Sequence, residues 1–107
     1  LVGLWDLYGA KKEGQSILAK IDPEEKQYIF IRWDRIYKES DSAGQEGTGY
    51  WHIHGHKPEL TLLSHNKEKG AESWKVAFEE GMLVLSGISD SNKGIEYTYK
   101  RLNSFPK

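Results

Sequence analysis

The chain contains no cysteine. Disulfides, thiolate-bound zinc, iron–sulfur clusters and cysteine nucleophiles are thereby excluded together. Long apolar runs are also missing. No stretch approaches the roughly 18 apolar residues that a membrane-spanning helix requires. Neither sign of charge dominates: 15 Lys and Arg stand against 16 Asp and Glu, a net charge of −1, mixed along the chain. That leaves no basic footprint for nucleic acid or an anionic membrane surface. There is no low-complexity tract, no long linker and no repeat with a period of about 20–50 residues. Helical periodicity is absent as well. So are the sequence marks of common catalytic sites: G-x-S-x-G, H-E-x-x-H, the P-loop and G-x-G-x-x-G.

What remains is a short chain of alternating runs. At 107 residues it is one domain. A domain of this size buries about two thirds of its unfolded surface, enough for one modest core. Tyr, Trp, Phe, Ile, Val and Thr fill the runs, as pleated and half-buried surface requires. The runs are 4–10 (LWDLYGA), 27–33 (QYIFIRW), 36–41 (IYKESD), 48–54 (TGYWHIH), 59–64 (ELTLLS), 72–78 (ESWKVAF), 82–88 (MLVLSGI) and 95–101 (IEYTYKR). A weaker ninth run, 15–21, lacks clean alternation and reads as an arm, a strand extension or a helical turn. Turn chemistry separates them. Asp22-Pro23, Asn66 to Gly70, Glu80-Gly81 and Asp90 to Gly94 are turns, and Asp41 to Gly49 is the longest glycine-rich loop.

Eight short strands at regular spacing predict an all-β antiparallel fold, a sandwich or an up-and-down barrel, and parity favours the barrel, of eight strands or of nine or ten with the weak run. In a closed meander the first and last strands pair, and they are antiparallel only for an even count. Trp5 then lies beside Arg101. Both belong to the inward series of their strands, so Arg101 is expected to stack on Trp5 and plug one barrel end. A cation–π contact of this kind is worth roughly 0.5–2 kcal/mol.

Several motifs together resemble a known family. Gly3-Leu4-Trp5 in the first strand and Arg101 in the last resemble the G-x-W and terminal Arg of lipocalins and their calycin relatives. The match is closer to the small lipocalin-like domains of bacterial secreted proteins and lipoproteins. Leu1 to Leu7 resembles their "L-x-G-x-W-x-L" opening. Ile31 to Tyr37 resembles a hairpin with Asp34 and Tyr37 in place, although Arg35 stands where glycine is usual. Gly49 to Gly55 followed by Leu60-Thr61-Leu62, then Trp74 to Val76, Leu83 to Leu85 and Tyr97 to Arg101, resemble the later strands. The resemblance implies a non-enzymatic barrel that carries a small apolar molecule, with no cofactor. It also implies a bacterial, extracytoplasmic location, periplasmic or lipid-anchored. The chain opens on Leu1 and not Met, which fits removal of a targeting segment or other leading sequence.

Alternation nominates the ligand-facing interior as Trp5, Leu7, Phe30, Tyr37, Trp51, Ile53, Trp74, Phe78, Tyr97 and Tyr99. Leu60, Leu62, Val76, Leu83 and Leu85 share that inner face. Runs of six or seven residues span only roughly 20–23 Å. A short barrel lined by large rings predicts a filled lower half and at most a shallow pocket at the end opposite Trp5 and Arg101. Tyr8, Gly9, Gln27, Tyr28 and Ile95 are expected near that mouth, with Asp90 to Lys93 over it. Two other functions stay open. One is a structural or protein-interaction module with a filled barrel. The other is a metal site on the outward His52, His54 and His56, since period two puts alternate residues on one face and zinc takes imidazole ligands. Asp6, Glu24, Glu25, Glu46, Glu59, Glu72, Glu79 and Glu80 read as solvated charge in turns or at outward positions.

Overall fold

β-branched and aromatic residues alternate with polar ones along this chain, and the backbone follows that period. The computed structural model describes residues 2–21, 27–40, 45–66 and 70–102. The Asp22-Pro23 turn, Glu24, Glu25, Asp41 and the centre of the 66–70 turn lie outside the described residues. The strands are β1 (Gly3–Lys12), β2 (Gln15–Ser16), β3 (Tyr28–Ile31), β4 (Ile36–Ser40), β5 (Glu46–Ile53), β6 (Glu59–Ser64), β7 (Ala71–Glu79), β8 (Met82–Gly87) and β9 (Ile95–Leu102). One helical turn, α1 (Leu18–Ile21), follows β2. No helix among the described residues is long and apolar enough to cross a membrane.

The hydrogen-bonded order is β2-β1-β3-β4-β5-β6-β7-β8-β9, and β1 also pairs with β9. Every pair is antiparallel. Eight strands thus close into an up-and-down barrel, with β2 as one extra short strand. Closure pairs the two edges that an open sheet would leave bare. The weak run 15–21 resolves into two of the forms expected for it. Gln15–Ser16 extends the sheet against Lys11 and Lys12, and Leu18–Ile21 makes a helical turn whose Leu18 and Ile21 pack on the core.

Inner-face residues form one core of Trp5, Leu7, Ile29, Ile31, Tyr37, Leu60, Leu62, Trp74, Leu83, Leu85 and Tyr99. Leu60, Leu83 and Ile31 are fully buried, and each such side chain stabilises the fold by about 1.5–3 kcal/mol. Phe30 is not among them. β3 is a continuous apolar run, so alternation cannot choose its face. The register does: Ile29 lies opposite inward Trp5, which turns Ile29 and Ile31 in and Phe30 out. β1 also breaks its own period. Its pairing with β9 shifts between Leu7 and Gly9, a bulge that moves the buried series from Trp5 and Leu7 to Ala10. Tyr8, next to inward Leu7, stands on the outer wall by plain alternation, where the Lys100 ammonium lies 5.9 Å from its ring centroid, and not at the mouth.

Among the described residues the turns at 80–81 and 89–94 keep their expected chemistry. Glu80 and Gly81 have φ of 52° and 81°, as a tight two-residue hairpin requires. Arg35 adopts φ 71°, so the hairpin keeps a glycine-type conformation despite its side chain. The 89–94 turn is pinned by Asn92, which is 2% exposed. Its Oδ1 accepts from Ser89 N (2.9 Å) and Ser89 Oγ (2.8 Å), and its Nδ2 donates to the Ser73 carbonyl (2.9 Å). Asp90 to Lys93 is thereby held against β7 and β8 and does not line the barrel mouth. Asn92→Ala is expected to lower stability by about 2–3 kcal/mol in urea unfolding, while Ser91→Ala, at an exposed position, changes it little.

Candidate functional site

The two barrel ends differ because their inner faces differ. At one end Trp5 lies opposite Arg101, and the guanidinium carbon sits 5.4 Å from the Trp5 ring centroid. Arg101 Nη2 also donates to the Val2 carbonyl at 3.4 Å. Phe78 adds a ring 6.2 Å from Trp5, tilted by 47°. Beside them Trp51 donates its indole N–H to the Arg32 carbonyl at 2.7 Å, and Arg35 covers the Trp51 ring at 5.4 Å. The expected stacking of Arg101 on Trp5 is present, with Trp5 buried beneath an exposed Arg101.

The opposite end is open. A cavity of about 390 Å³ enters there, bounded by the upper parts of β3 to β9. Its lining combines apolar Ile29, Leu62 and Leu85, the rings of Tyr37, Trp74, Tyr97 and Tyr99, and the acids Glu39, Glu46 and Glu72. Its lining includes the buried residues Ile29, Tyr37, Trp74 and Leu85. Small inward residues make the room. Gly47 and Gly49 lie opposite Glu39 and Tyr37, and Ser64 faces Gly49. Gln27 also lines the cavity, and its side-chain amide donates to the Ile21 carbonyl, tying α1 to the mouth.

Of the residues nominated for the interior, Tyr37, Trp74, Tyr97 and Tyr99 line the cavity. Trp5 and Leu7 are buried in the core outside it. Trp51, Ile53 and Phe78 share the inner series but lie towards the Trp5 end, where Phe78 is 55% exposed. Phe30 faces outward. Sequence reading missed the carboxylates. Glu72 is part of the half-buried cavity lining and not simply solvated charge, and Glu39 was not singled out. The signal was available: Glu39 is two residues after inward Tyr37, and Glu72 two before inward Trp74.

The interior holds its phenols protonated. Burial first, then the Glu39 charge, raises the Tyr37 phenol to about 12; Ser64 hydrogen bonding acts the other way, and Glu72 adds to the rise. Tyr99 is pushed well above 10 by burial, with Glu39, Tyr97 and Glu72 acting in the same direction. An unfolded tyrosine titrates near pH 10. A folded value above the unfolded one contributes stability that is complete below about pH 10 and is lost as pH rises through about 12. Alkaline titration followed by phenolate absorbance should therefore show Tyr37 and Tyr99 ionising only as the barrel unfolds. In denaturant all six tyrosines should titrate together.

The histidines do not assemble. His52 points outward at the end of β5, and His54 and His56 follow in the turn. His56 N donates to His54 Nδ1 at 3.1 Å, which occupies that nitrogen's lone pair. His65 lies towards the other end, with Nδ1 2.8 Å from Thr48 Oγ1. Among the described residues no three His, Asp or Glu side chains come together to hold a metal ion.

No protein-family model matches the sequence, and no curated protein matches it significantly. Among solved structures, the chain is similar to an uncharacterised protein from Bacteroides eggerthii, with a TM-score of 0.66 and 12% identity over 94% of this chain and 98% of the other. At that identity the likeness concerns the fold.

Proposed function

We propose that the chain is a lipocalin-like, non-enzymatic binding barrel that takes one small molecule into its open end. The carrying observation is the asymmetry of the barrel: a cavity of about 390 Å³ at one end and the Trp5–Arg101 stack at the other. That volume falls within the usual range for small-molecule sites, about 300–1,000 Å³. Its mixed lining of apolar, aromatic and polar residues suits an amphipathic molecule. The family resemblance supports the same reading and an extracytoplasmic location in a bacterium.

The test is NMR titration with small aromatic and aliphatic amphiphiles, using the indole N–H of Trp74, identified with a Trp74→Phe variant. At least one probe should shift that signal and leave the signal of Trp33, 82% exposed at the β3–β4 turn, unmoved. If no probe shifts Trp74 at millimolar concentration, the reading fails.

A second reading, an interaction module, draws on the outer wall. Tyr50 and Leu63 lie opposite each other on β5 and β6, are 53% and 49% exposed, and border the His65 ring, 4.7 Å from Tyr50. Exposed apolar surface of this kind marks contact sites when it is contiguous. A self-association that Tyr50→Lys abolishes in sedimentation would favour it.

A further inference from the structure

We infer that the open-end cavity takes a neutral molecule bearing a hydrogen-bond acceptor, a carbonyl or ether oxygen on an apolar body, and that the Tyr99 hydroxyl donates to it. This rests on the small-molecule reading above and assigns its ligand class.

Buried polar groups are nearly always paired, and one left unpaired is costly. Most polar side chains of the cavity lining are engaged within the chain. Tyr37 bonds with Ser64, Gln27 donates to the Ile21 carbonyl, and Glu46 meets Lys38 at 2.9 Å. Glu39, Ser40, Gln45, Asn66, Glu72 and Tyr97 have interactions of their own. Two groups remain. The Trp74 indole and the Tyr99 phenol both border the cavity, and neither has a hydrogen-bond partner among the described residues. Among those residues Trp74 Nε1 alone is both sealed and unpartnered. The Tyr99 oxygen is therefore not sealed, although its residue is only 9% exposed, and it is the group a guest can reach.

The unmet need is for an acceptor. An indole N–H only donates, and a phenol carries one O–H to give. Native structures leave a buried donor unpaired more rarely than they leave a lone pair unused. The acceptor is neutral. A negative charge at the Tyr99 oxygen is opposed first by burial, and a carboxylate guest would bring its charge into the same surroundings. An ammonium has no lone pair to offer. A carbonyl or ether oxygen meets both conditions.

The surroundings of the donor set the rest of the guest. Tyr99 lies opposite Leu83 on β8 and Leu7 on β1, both buried, and Ile29, Leu62 and Leu85 share the cavity lining. A single donor amid apolar surface orients a guest, while the apolar body supplies the contact area.

The experiment compares acetophenone, α-methylstyrene and benzoate, one planar body with a carbonyl, a methylene in its place, and a carboxylate. Each is titrated at neutral pH into the whole chain, wild type and Tyr99→Phe, and read on the Trp74 indole signal. The variant loses a hydroxyl that has no partner among the described residues, so the fold is expected to survive, as circular dichroism would verify. It is expected to bind acetophenone about fivefold to tenfold more weakly than wild type, and α-methylstyrene within about twofold. Benzoate is expected to bind wild type at least about tenfold more weakly than acetophenone. Equal losses for acetophenone and α-methylstyrene, or no loss for either, overturn the Tyr99 assignment while the cavity reading stands. Benzoate binding as tight as that of acetophenone overturns the neutral class. A Trp74 signal that none of the three moves overturns the inference, and silence across the wider probe set overturns the cavity reading too. Should the variant fail to fold, the carbonyl stretch of isotope-labelled acetophenone on the wild-type chain decides. A band below its position in dry alkane supports the hydrogen bond, and an unshifted band overturns it.

Discussion

Gly49→Ala is expected to cost about 3 kcal/mol or more in urea unfolding, a large share of a small domain's stability. A β-carbon at Gly49 would sit 2.3 Å from the Leu63 carbonyl oxygen, 2.6 Å from Tyr37 Cε1 and 2.9 Å from Ser64 Cα. Two of these three atoms are backbone in the neighbouring strand, so relief requires β5 and β6 to part. Gly47 provides the control. It belongs to the same strand and the same inner series, but its added carbon meets only the Glu39 side chain, at 3.8 Å. Gly47→Ala should therefore change stability by less than about 1 kcal/mol. Similar losses for both variants would refute the steric account and point to strand flexibility instead.

Trp74→Ala is the second large effect, a loss of about 3–5 kcal/mol in the same assay. Trp74 is 3% exposed and packs against Tyr97 at 5.2 Å, so truncation removes both buried area and an aromatic contact. Trp74→Phe separates ring from donor. The indole N–H is buried without a hydrogen-bond partner among the described residues, so deleting it forfeits no bond. Phenylalanine should recover most of the loss and leave a deficit of about 1.5 kcal/mol or less. A phenylalanine variant as unstable as the alanine one would mean that the N–H has a partner in solution.

These expectations depend on which side chains point inward, and the sequence discloses that unevenly. Where polar and apolar residues alternate, as in β7 and β9, the inner face follows directly, and parity alone places Trp5 beside Arg101. Where a strand is apolar throughout, as in Tyr28–Ile31, only its partner's register sets the face, and Phe30 was misplaced for that reason. Where a bulge intervenes, as at Tyr8, the period changes partway along the strand. The site was legible in its aromatic walls and not in its acids. A charged residue on an inner face is rare enough that composition argues it outward, yet Glu39 and Glu72 keep the inward parity of Tyr37 and Trp74. The cavity itself was hidden because its lining is drawn from β3 to β9, a relation between strands that spacing within one strand does not contain.

The pairing of β1 with β9 also has a mechanical consequence. Leu4 lies opposite Leu102 and Trp5 opposite Arg101, so the outer ends of both strands emerge on the same side of the barrel. Tension applied at those two ends pulls across the ladder and loads its hydrogen bonds one pair at a time, starting at Arg101. Parallel strands pulled from opposite ends would share the load across many bonds at once. The barrel therefore opens like a zipper under modest force, however stable it is towards heat or denaturant.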